Sequence, residues 1–164
     1  MYTKQDIWAS FKKELDIIKH LAGKIPAGKE HHKPTEKQRT TLELLQYLSV
    51  NGAGNFAAIL SGDTGGFAKY VDRSKEVTVE NFAAAIDWEE SEMKTLFGQF
   101  NDENLSESVT LFGRTQSRAL FLLDFLKMLT GYKMQLFLYA KGSGNETIGT
   151  PNVWAGMDAP VPVK

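Results

Sequence analysis

Apolar residues recur at spacings of three and four along four long segments, and nowhere does the chain sustain the two-residue alternation of a strand. In the first, from about Lys4 to Leu21, Ile7, Phe11, Leu15, Ile18 and Leu21 share one face while Lys12, Lys13 and Asp16 fall on the other. The second begins within "TEKQRTTLELLQYL", where Thr35 with Gln38 and Thr40 with Glu43 each offer a capping box for the free N–H groups of a helix start. Leu42, Leu45 and Leu48 mark one edge of its apolar face, and Leu44 and Tyr47 widen it. The pattern runs on through "VNGAGNFAAIL". There Gly52 and Gly54 would each cost ~1 kcal/mol against alanine, so a kink or a close helix contact is predicted. Thr78 is the expected N-cap of the third segment, whose buried side is Phe82, Ile86, Met93 and Leu96, with Phe97 and Phe100 near its end. The fourth runs from near Thr115 to about Lys141, ~40 Å of helix at 1.5 Å per residue.

The intervening stretches read as connections. "GKIPAGKEHHKP" carries Gly, Pro and charge without periodicity, "SGDTGGFAKYVDRSKEV" is a glycine-rich surface link, and "NDENLSES" is a loop. The predicted fold is all-α: an antiparallel up-down four-helix bundle over residues 1–144. An irregular C-terminal tail, 145–164, would pack on the bundle or trail from it, pinned in part by Trp154.

Composition narrows the function classes. A length of 164 residues suits a single core, and 42% hydrophobic with 24% charged residues is ordinary for a globular protein. The net charge of −1, with no basic block, lacks the electrostatic footprint of a nucleic-acid binder. There is no cysteine, which removes thiolate nucleophiles and thiolate metal sites. The N-terminal residues alternate charged and apolar side chains, unlike a signal peptide, and no run approaches the ~20 apolar residues of a membrane span. A cytoplasmic location, with neither membrane nor nucleic acid as partner, is expected.

Helical geometry places Asp124, Met128 and Tyr132 one turn apart on one face of the fourth segment. Asp124 interrupts an apolar run and calls for a basic partner, with Lys127, Arg118 and Lys19 the candidates. His31 and His32 read as a solvated pair in a charged loop, and His20 as a residue near a helix C-terminus, where its cationic form is favoured. No H-x-x-x-H, H-E-x-x-H, G-x-S-x-G or phosphate-loop motif is present.

"RTTLELLQYL" in the second segment and "YKMQLFLYAK" in the fourth resemble the two signature segments of the DinB/YfiT-like superfamily, and the order of helices between them agrees. The resemblance spans roughly Lys4 to Lys141. It implies a helical bundle, often dimeric, with a pocket between helices where many members hold a divalent metal through three histidines. Carried over from Arg39, Thr40 and Gln135, those positions fall on Tyr47, Met128 and Tyr132. Imidazole suits zinc, nickel or iron; a phenol of pKa ~10 and a thioether do not.

No metal and no cofactor are therefore expected, and Tyr47, Asp124, Met128 and Tyr132 become candidates for lining a ligand pocket. A Tyr–Asp pair there would need shifted pKa values to serve in acid–base chemistry, and no catalytic residue is assigned. The leading expectation is a small-molecule-binding or interaction protein with a degenerate metal site. The alternatives are an enzyme of thiol-transferase or hydrolase type working without the metal, and a structural homodimer. The apolar breadth of "LFLLDFLKML" and "MQLFLYA" would supply the dimer interface.

Overall fold

A computed structural model of the chain describes residues 3–160. Helix α1, Lys4–Ala22, starts at a capping box in which the Thr3 backbone N–H donates to Asp6 at 2.8 Å and the Asp6 N–H returns to the Thr3 hydroxyl at 3.2 Å. Helix α2, Thr41–Ser61, uses the Thr40–Glu43 box and stops at Gly62, whose left-handed φ of 74° suits glycine. The other sequence candidate, Thr35 with Gln38, closes a loop turn instead.

Two further long helices, α4 at Phe82–Gly98 and α6 at Arg118–Gly142, complete a closed ring of contacts, because α1 packs on both α4 and α6 and so does α2. At its centre Phe11, Phe56 and Phe125 interlock, with ring centroids 4.9 Å apart for Phe11–Phe56 and 5.5 Å for Phe11–Phe125. Every residue of α2 from Leu48 to Ile59 is buried, so this half of the helix is enclosed on all sides rather than amphipathic, with Asn51 and Asn55 as polar exceptions among apolar and small side chains. The two glycines within it permit close contact: Gly52 lies against Met93 and Glu89 of α4, and Gly54 lies against Phe67.

The elements between the long helices depart from expectation. "SGDTGGFAKYVDRSKEV" holds helix α3, Gly65–Ser74, packed on α2 through Phe67, while buried Tyr70 reaches α4, its ring near Trp88 and its hydroxyl donating to Glu92 at 2.7 Å. Phe67, Tyr70 and Val71 do have i, i+3, i+4 spacing, but the glycines on their N-terminal side masked it. "NDENLSES" contains a short helix α5, Asp102–Ser106, and the start of β1, Ser108–Leu111. Strand β1 pairs antiparallel with β2, Arg114–Ser117, in register Ser108↔Ser117 to Leu111↔Arg114. Phe112 and Gly113 join them at φ 52° and 74°, both left-handed as a type I′ hairpin turn requires.

The protein is therefore mostly helical rather than all-α, and α6 begins at Arg118, capped by the Ser117 hydroxyl, not near Thr115. Thr78 bonds reciprocally with Asn81 in the turn before α4 rather than capping the helix itself. The tail is not wholly irregular. It forms α7, Thr150–Ala155, which contacts α1 and α6 through buried Asn152 and Val153, with Ile148 buried just before it. Trp154 is more than half exposed but lies over Lys133 of α6, so it shares the anchoring with its neighbours. The last four residues of the expected tail lie outside the described residues. Among the described residues no helix is long and apolar enough to cross a membrane.

Candidate functional site

A cavity of about 340 Å³ opens between α2, α3, α6 and the hairpin. This is the small end of the ~300–1,000 Å³ usual for small-molecule pockets. Helix α2 contributes Tyr47, Asn55 and Ile59 at helical spacings, α3 contributes Phe67, and the hairpin contributes Phe112 and Arg114. Helix α6 presents Phe121, Asp124, Phe125 and Met128, the face that one-turn steps bring into line.

Tyr47, Asp124 and Met128 thus share one lining. Tyr132 stands just behind it, its ring centroid 5.0 Å from that of Tyr47. The Arg39 guanidinium lies over the Tyr47 ring at 4.5 Å. Burial, reinforced by the neighbouring Tyr132 phenol, pushes the Tyr47 hydroxyl well above the ordinary phenol range; Arg39 pulls weakly the other way.

Asp124 accepts from Gln116 at 3.0 Å, Arg114 at 3.1 Å and Lys127 at 3.3 Å. The Gln116 hydrogen bond, with Lys127 and Arg114 adding to it, holds its carboxyl below the usual range against a small opposing effect of burial. Of the partners expected from sequence, Lys127 is present. Arg118 turns instead to the Ile59 carbonyl and Glu107, and Lys19 pairs with Asp87 at 2.5 Å. The Tyr47 and Asp124 shifts run opposite to what acid–base work near neutrality needs, since the phenol keeps its proton and the carboxylate is a weak base.

The three histidines stand apart. His20 meets Asn152 at 3.1 Å, His31 is exposed, and His32 is half-buried with its ring edge-on to Tyr139 at 6.1 Å, so the two adjacent histidines are not equally solvated. Gln135 donates to the Tyr139 hydroxyl at 2.9 Å, and that hydroxyl donates to the Arg39 carbonyl at 3.0 Å. Among the described residues no group of three His, Cys, Asp or Glu side chains is placed to hold a metal ion.

Sequence reasoning missed Asn55, Phe67, Phe112 and Arg114. Asn51 and Asn55, one turn apart on an apolar helix, were a legible signal: the Asn55 Nδ2 donates to the Asn51 backbone carbonyl at 2.7 Å and to Asn51 Oδ1 at 2.8 Å. It also missed a buried ion pair outside the cavity, Lys133 of α6 with Glu14 of α1 at 2.8 Å. The two meet off the axis of a good hydrogen bond, so their attraction is chiefly coulombic. The Trp154 ring centroid lies 4.7 Å from the Lys133 Nζ.

No family model matches the chain, and no curated protein matches it. Among solved structures, a DinB-like protein from Bacillus subtilis, YjoA, is similar at a TM-score of 0.69 and 19% identity, over 84% of this chain and 92% of that one. The likeness is one of fold: this chain has the DinB-like fold.

Proposed function

We propose that the chain is a small-molecule-binding protein in which Tyr47, Met128 and Tyr132 stand where histidine-bearing proteins of this fold hold a metal. The observation that carries the reading is a cavity lined jointly by Tyr47, Asp124 and Met128 and walled by phenylalanines. In this reading the ring of α1, α4, α2 and α6 is an up-down helical bundle whose interior end is left open for an organic ligand. The residues present do not fit a divalent metal of the family's kind. A thioether prefers soft ions, and a phenol must lose its proton to ligate well, which burial opposes at Tyr47. No chemical step is therefore routed through a metal.

The test is a fragment screen on protein carrying ¹³C-labelled methionine methyl groups. Fragments are expected to shift Met128 while leaving Met93, buried in the core, unmoved. If no fragment at millimolar concentration moves Met128, the ligand-pocket reading fails.

A homodimer is a second, compatible proposal. Leu120, Leu123 and Leu138 are exposed at 42%, 46% and 57% along one stripe of α6, with Met134 between them. Apolar rows of this kind commonly mark a protein contact. Sedimentation should give a dimer that Leu123→Lys with Leu138→Lys dissociates; a wild-type monomer at high concentration would end this proposal.

A further inference from the structure

The polar atoms of the cavity are few, and their commitments restrict what can enter. The Asn55 Nδ2 is spent on the Asn51 backbone carbonyl and on Asn51 Oδ1. The first of these bonds fixes the amide orientation, because an atom 2.7 Å from a carbonyl oxygen has to be the donor. Oδ1 is therefore the atom of the Asn55 amide left for the cavity that Asn55 lines. Asn51 spends its own oxygen on this arrangement, and its buried Nδ2 has no partner among the described residues. Buried orphans of this kind are rare. The pair presents an acceptor inward, and an acceptor calls for a donor.

Charge narrows the ligand further. A cation would find the aromatic walls attractive, but the Arg114 guanidinium already lies 5.6 Å from the Phe121 ring centroid, and Lys127 reaches Asp124 beside it. An anion would meet the ionised Asp124 in the lining, with Arg114 already paired to it. A neutral ligand meets neither obstacle.

Shape and surface supply the rest. Phe67, Phe121 and Phe125 offer ring faces and edges to a space of about 340 Å³, which suits one or two flat rings. At the mouth, Phe112 is 57% exposed and held at φ 52°, a left-handed conformation that a bulky aromatic residue seldom adopts. An exposed ring on a strained turn at the rim of an apolar cavity is placed to close over a ligand rather than to build the core.

We propose that this cavity binds a small neutral aromatic heterocycle bearing a ring N–H, which donates to Asn55 Oδ1 while its rings lie against Phe67, Phe121 and Phe125. The inference rests on the ligand-pocket reading above and deepens it.

The experiment is calorimetric and NMR titration of the intact protein with four probes: indole, benzofuran (the same rings with oxygen for N–H), 2-piperidone (a neutral aliphatic N–H donor) and tetramethylammonium. Indole is expected to bind about tenfold tighter than benzofuran, the effect of leaving one buried acceptor unpaired. It should also outbind 2-piperidone and tetramethylammonium. Asn55→Ala should bring the indole-to-benzofuran ratio near one. Phe112→Gly relieves the left-handed turn, so it retains the fold; it should weaken indole and benzofuran together and preserve their ratio.

Equal binding of indole and benzofuran overturns the donor assignment, tighter 2-piperidone overturns the aromatic one, and tighter tetramethylammonium overturns the neutral one. In each of those cases a shifted Met128 leaves the ligand-pocket reading standing. If none of the probes binds while fragments still shift Met128, the ligand class falls alone; if nothing shifts Met128, both readings fall.

Discussion

Glu89 of α4 accepts the backbone N–H of Gly52 in α2 at 2.5 Å with its side chain wholly buried. Burial pushes this carboxyl up to about 8, against the opposing N–H groups of Gly52 and Ala53. In the unfolded chain it returns to 4.5, so between those values the folded state holds a proton that the unfolded state releases. Stability should fall as pH rises through this window, by up to about 1.4 kcal/mol per unit, and level off above it. Glu89→Gln, neutral at every pH, should flatten that slope. Chemical denaturation from pH 5 to 9 checks it, and an unchanged slope in the variant would assign the pH dependence elsewhere.

Gly54 has room for no side chain, since a Cβ there would come 2.4 Å from the Phe67 ring. Gly54→Ala should therefore displace Phe67 and α3 and reshape the cavity wall, at a cost of about 1–3 kcal/mol despite the better helix propensity of alanine. Thermal melts give the stability loss, and ring-proton shifts at Phe67 report the displacement. A variant as stable as the parent, with unshifted Phe67, would contradict the packing described here.

Lys133 and Glu14 form an ion pair in which Lys133 is fully enclosed. Removing one partner of a buried pair is far costlier than replacing both. Lys133→Met should lose about 3–5 kcal/mol, and adding Glu14→Leu should recover much of it. Urea denaturation of the two single variants and the double variant measures the coupling. Additive losses would mean the two charges are independently solvated.

The C-terminal segment should loosen in acid. The Asn152 Nδ2 donates to Asp158 at 2.9 Å and faces the His20 Nε2 at 3.1 Å, an arrangement that needs a neutral imidazole acceptor. Burial, with Lys24 nearby, lowers the His20 pKa below 6.5, while Asp158 opposes the shift. The stabilisation is thus present above the unfolded value and is lost as pH falls through the lower folded one. Protection of the α7 amides, taken relative to their intrinsic exchange at each pH, should fall as pH drops below 6.5, and His20→Gln should remove that pH dependence. Protection that is flat with pH in the wild type would rule the contact out as a proton sensor.

The register of the three family positions is itself testable. Tyr47 and Tyr132 are already in ring contact, and Met128 lies one turn from Tyr132. The combined substitutions Tyr47→His, Met128→His and Tyr132→His should create affinity for zinc or nickel, seen as a metal-dependent rise in melting temperature. A folded triple variant that gains none would show that these side chains do not converge.

The long helices and the core were legible because periodic burial is written locally. Phe11, Leu15, Ile18, Phe82, Ile86 and Met93, named from spacing alone, are all buried. Helical spacing also put Asp124 and Met128 on one face of α6, and both line the cavity with Tyr47. The rest of the site was not legible, because its walls come from short elements whose local signals are weak. Helix α3 begins with a glycine pair, and the hairpin has only four residues per strand.

What the sequence determined by itself is which residues are apolar at helical intervals, where α2 is capped, and that no histidine is available at the three positions on α2 and α6. Those properties depend on neighbours within a turn or two. Only the tertiary structure decided that Asp124 is held by Arg114 and Gln116 from the hairpin, that Phe67 closes against Gly54, and that Glu89 is buried against the backbone of α2. Each of these joins elements distant along the chain or across a turn. Their chemistry follows from burial and proximity, which no local pattern records.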